Sequence, residues 1–145
     1  MAQKQQKTVL ALAEAFPLLL LVVLIYSVFA LIIGSDAVSD ALDSPLFGIP
    51  IISGDRLAFD VGDLFVLIAL AMLFIEVLKS TSTGSTAIMN HGLSAAVMTL
   101  CIVLLLVLKG FGNATFLYIT LMTMFDVVAG FSITAISAKR DFSVG

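Results

Sequence analysis

An aspartate in the middle of a long apolar stretch is the residue in this chain with the most to explain. Asp126 stands inside the run Thr115 to Ala138, where an ionised carboxylate at the centre of a bilayer costs at least ~2.5–3.5 kcal/mol on insertion scales. It has to be neutral, paired or wet. Thr120, Thr123, Asp126, Gly130, Thr134 and Ser137 follow one another at spacings of three and four, which on a helix forms one polar or small stripe. A stripe of this kind faces protein rather than lipid. It suits two chemistries: a proton- or ion-handling carboxylate, or a protonated Asp that hydrogen-bonds across helices as packing glue.

Glu76 falls about one turn inside the end of another apolar run, with Lys79 three residues later, the spacing of a helix-surface ion pair with a snorkelling Lys. Glu14 and His91 belong at the same depth, so four ionisable residues from three helix ends have the chance to converge. A Glu beside a His can share a proton near neutral pH, which suits a relay or a polar ligand site.

Metal and redox chemistry find less support. His91 is the only histidine and Cys101 the only cysteine, which leaves a zinc site without ligands and a bis-histidine haem without its second ligand in one chain. Asp36, Asp40 and Asp43 read as a solvated acidic face rather than a cation cage. No nucleophile motif of the Gly-x-Ser-x-Gly type is present. The chain is therefore expected to be no enzyme, with no catalytic residue, metal or cofactor assigned.

The elements that would hold these residues follow from composition. Among 145 residues, 61% are apolar and 12% charged, and the mean hydropathy is +1.19; the bilayer is the solvent for such a chain. The net charge of -3 argues against nucleic acid, which needs clustered Lys and Arg. A span needs about 20 apolar residues, and four runs qualify, at about 15–33, 61–78, 92–108 and 115–138. The first is too long for a signal-peptide core and no A-x-A site follows it. Lys4, Lys7, Lys79, Lys139 and Arg140 lie on one side and Arg56 and Lys109 on the other, which places both termini in the cytoplasm.

The expected fold is an all-α membrane protein, one domain over residues 1–145, with four transmembrane helices as two antiparallel hairpins and a structured extracytoplasmic loop at 34–60. Within that loop Ser35 is positioned to cap a short helix whose apolar side holds Ala37, Val38, Ala41 and Leu42. Phe47 to Ile52 and Leu57 to Phe59, around the turn-like Ser53-Gly54-Asp55, suit a small hairpin, with Pro50 confining the first strand to an edge. Ser80 to Thr86 reads as a flexible cytoplasmic linker, and Gly110 to Ala114 as a tight turn. Asn113-Ala114-Thr115 matches the N-glycosylation pattern beside a span.

This architecture leads to a non-enzymatic accessory or assembly subunit of a larger complex in a bacterial inner membrane. Its surroundings would be the lipid bilayer and either other membrane subunits or further copies of itself. Docking would use helix faces and the loop, where Phe47, Ile49 and Ile51 are too apolar for an idle solvated connection. The alternative is a small oligomeric ion- or proton-coupled transporter or channel using Asp126 with Glu76 and His91.

Overall fold

The computed structural model describes residues 16–80 and 85–143, with side chains described over 16–80 and 89–136; Glu14 and Ser137 therefore lie outside the described side chains. In chain order the elements are α1 (Leu18–Ile33), α2 (Val38–Leu42), β1 (Pro45–Pro50), β2 (Arg56–Asp60), α3 (Val61–Lys79), α4 (Ser85–Val107) and α5 (Ala114–Ser143). The chain is mostly helical, and within α3, α4 and α5 the segments Val61–Lys79, Met89–Val107 and Ala114–Ile136 are long and apolar enough to cross a membrane. The remaining apolar helix, α1, has 16 residues. At about 1.5 Å per residue it reaches less far than the ~30 Å hydrocarbon core. Of the four expected spans, three correspond to helices of spanning length and the first to a shorter apolar helix, and the all-α expectation is corrected by a two-stranded sheet.

Local chemistry accounts for the element ends. Pro17, extended at ψ 118, precedes α1 as its N-cap, where the missing proline N–H deprives no hydrogen bond of a donor. Gly34 closes α1 with a positive φ of 88, a conformation that glycine takes without steric penalty. That sharp turn draws Ser35 and Asp36 into the connection, with Ala37 N–H donating to Gly34 O at 3.0 Å. Hence α2 begins after Ala37 and has no side-chain cap, contrary to the role expected of Ser35. Val38 and Leu42 are buried and the three aspartates exposed. At the start of α3, Asp60 and Asp63 form a capping box: each carboxylate accepts from the other residue's backbone N–H, at 2.8 and 3.1 Å.

In the antiparallel β1–β2 hairpin, Phe47 is paired with Phe59 and Ile49 with Leu57, and the turn is made by Gly54 at φ 90. Because strand side chains alternate, these four apolar residues share one face, with the two phenyl rings stacked at 5.0 Å. Gly48, Pro50, Arg56 and Ala58 take the other, where the Arg56 side chain lies across Gly48.

The helices pack α1 on α3, α3 on α5, and α4 on α5, with α1 also touching α4. Tyr26 sits at the centre of the core, fully buried, with its ring 4.8 to 5.4 Å from those of Phe65, Phe111 and Phe116. Its hydroxyl donates to Gly110 O at 3.1 Å and accepts from Asn113 Nδ2 at 2.6 Å. Asn113 also caps α5 by accepting from Phe116 N–H at 3.0 Å. The amide that matches the glycosylation pattern is therefore occupied as a structural joint. Gly110 packs against Ser35, and Lys109 and Asp36 form an exposed ion pair. Residues 34–60 and the α4–α5 turn thus share one end of the bundle.

Candidate functional site

At the opposite end α1 begins at Leu18, and the first N–H groups of a helix have no partner of their own. Glu76 of α3 supplies one. Its side chain is fully buried, and Oε2 accepts from Leu18 N–H at 2.9 Å, a carboxylate on a positive helix terminus. Lys79, one turn further along α3, donates to Phe16 O at 2.8 Å and pairs with the Glu76 carboxylate at 3.2 and 3.3 Å. A third contact comes from α4, where Asn90 Nδ2 donates to Glu76 Oε1 at 2.6 Å. One carboxylate thereby ties three helices together.

His91 follows Asn90 but turns towards α5. Its Nε2 shares a hydrogen bond of 2.9 Å with Thr134 Oγ1, and its ring lies 5.7 Å from that of Phe131. Gly130 makes the room. A Cβ there would stand 2.5 Å from His91 Nδ1 and 2.6 Å from Cε1. Gly130→Ala should displace the ring, break the bond to Thr134 and cost about 1–3 kcal/mol of unfolding free energy. A double-mutant cycle in detergent provides the check, since in a His91→Ala background the same change should cost little.

Asp126 lies beside Ser94 of α4 and within electrostatic range of Glu76 and Lys79. Thr120, Thr123, Asp126 and Gly130 are all buried and Thr134 is half-buried, so the stripe on α5 turns into this chain's own bundle. Thr120 and Thr123 return their hydroxyls to the α5 backbone, at Phe116 O and Thr120 O, and Cys101 sits beside Thr123. Glu76, Asp126 and His91 are each buried, but the α4 partner of Glu76 is Asn90, while His91 serves Thr134. Phe47, Ile49 and Ile51 stand at the far end of the molecule, each about half exposed.

Two members of this interior were hidden in the sequence. Asn90 falls between the polar linker and a span expected to begin near residue 92, and Ser94 falls just inside that span. In the structure α4 begins at Ser85, and both side chains are buried at 3% exposure. Their spacing of four, matching one helix face, is the signal that could have found them. Among the described residues, no group of three His, Cys, Asp or Glu side chains gathers in metal-binding geometry. Around Glu76 and Asp126 the oxygen donors are two carboxylates, an amide and hydroxyls. Comparison with family models, with curated proteins and with solved structures finds no match for this chain.

Proposed function

We propose that this protein is a non-enzymatic accessory or assembly subunit of a larger membrane complex, docking through the β1–β2 hairpin. The observation that carries the reading is the apolar hairpin face. Phe47, Ile49 and Leu57 are about half exposed, and Ile51 and Ile52 extend the apolar surface towards the turn. An isolated two-stranded hairpin is marginal in water, and an apolar patch outside the spans marks an interaction site. The polar residues of the helices, by contrast, are turned inwards on each other and offer a partner little.

In this reading the four helices α1, α3, α4 and α5 span a bacterial inner membrane as two antiparallel hairpins. Both termini are cytoplasmic, on the side that holds five of the seven Lys and Arg residues. A photo-crosslinking residue at position 51, activated in native membranes, should give one discrete protein adduct. Phe47→Ser with Ile49→Ser should abolish that adduct while the helices stay inserted, because neither residue belongs to a span. Adducts to lipid alone, or a protein adduct indifferent to these changes, would remove the hairpin as the docking element.

A second reading is favoured by the burial of Glu76, His91 and Asp126: a small oligomeric ion- or proton-coupled transporter or channel using Asp126 with Glu76 and His91. Intramembrane ionisable residues facing a bundle interior are the usual marks of ion pathways.

A further inference from the structure

We propose that Glu76, Asn90, Ser94 and Asp126 form a binding site for one dehydrated alkali cation. The inference deepens the transporter reading by naming an ion and its ligands, although a cation held there could equally serve the bundle alone. Two independent features lead to it, one of charge and one of unspent hydrogen-bonding capacity.

The charge comes from counting what lies together. Glu76 and Asp126 are two carboxylates within electrostatic range of one another, and Lys79, paired with Glu76, is the ammonium that faces both. With both carboxylates ionised, these three groups together carry one net negative charge in an interior that penalises it. A single monovalent cation restores neutrality. A divalent ion would overshoot.

The second feature is a pair of buried oxygens. Asn90 Oδ1 and Ser94 Oγ have no hydrogen-bond partner among the described residues, an arrangement that native interiors rarely tolerate without a bound water or ion. The Asn90 amide cannot be reversed to cure this, because its Nδ2 is held by Glu76 Oε1 at 2.6 Å and reversal would set oxygen against carboxylate. Its oxygen is fixed as an acceptor. Ser94, one turn along the same face of α4, lies beside the Asp126 carboxyl, but no partner stands within hydrogen-bonding geometry of its Oγ. A proton on Asp126 would serve Ser94 and leave Asn90 Oδ1 bare. A cation takes both, together with the carboxylates, as an all-oxygen set of the kind hard cations use.

The test uses the purified full chain in detergent, unfolded thermally in NaCl or KCl against choline chloride at equal ionic strength. A ligand bound only by the folded state raises the midpoint with its concentration, so at least one alkali salt should stabilise saturably over choline. Ser94→Ala should leave stability in choline unchanged or improved, since the hydroxyl it removes has no partner. The same variant should raise the half-saturating alkali concentration tenfold or more, and Asp126→Asn should abolish the response. No alkali preference in the wild type would overturn the site, as would a Ser94→Ala loss of stability that is equal in every salt, the signature of a protonated Asp126 bonded to Ser94. Uptake of radioactive sodium or rubidium into proteoliposomes is measured separately. Saturable binding without uptake supports the site and removes the transporter reading alone.

Discussion

Replacing Glu76 by leucine should unfold this protein more readily than any other single change in the polar interior, by about 3–5 kcal/mol, the usual cost of removing one partner from a buried charge network. Leucine would fill much of the space but leave Leu18 N–H and Asn90 Nδ2 without their acceptor and take the carboxylate away from Lys79. Glu76→Gln keeps an oxygen for one donor and should lose markedly less. Stepwise SDS unfolding followed by circular dichroism would rank the three proteins. If Glu76→Leu matched the wild type, the carboxylate would not be what joins α1, α3 and α4.

A comparable loss is expected at the other end of the bundle. Tyr26→Ala should cost about 3–5 kcal/mol, the range for deleting a fully buried aromatic ring, because it removes contacts with Phe65, Phe111 and Phe116 together. In lipid the loss is one of dispersion contacts rather than of hydrophobic burial. Tyr26→Phe isolates the hydroxyl and should cost only about 0.5–1.5 kcal/mol, since Asn113 Nδ2 keeps its second contact, to Gly110 O at 3.1 Å. The same unfolding measurement separates the two. Equal losses for Phe and Ala would transfer the weight from ring to hydroxyl.

Sequence reading is most successful here where a signal is local. The hairpin was visible because Ser53-Gly54-Asp55 sits between two apolar runs, and the inward stripe on α5 because polar and small residues recur at helical spacing. Non-local roles were not visible. Tyr26 reads as a polar interruption until residues 84 and 87 positions away prove to be its partners. Asn90 falls just before the expected third span and Ser94 just inside it without standing out, since hydropathy records a residue's cost in lipid and not which way its side chain turns. The end of α1 is a similar case. A terminus relieved by a carboxylate from another helix carries no capping residue of its own.

Between the last residue of β2, Asp60, and the first of α3, Val61, there is no residue to spare. The capping box fastens that junction from within, and Val61 N–H is bonded in addition to Ser44 O at 3.2 Å, on the strand side. The hairpin therefore has no swivel: its tilt and the tilt of α3 are a single degree of freedom. Because α3 is a rod of roughly 28 Å at about 1.5 Å per residue, any push on the hairpin is delivered at its other end, where Glu76 grips the start of α1. The hairpin of this small protein and the buried Glu76 are thereby mechanically geared, in the manner of a crank and its shaft.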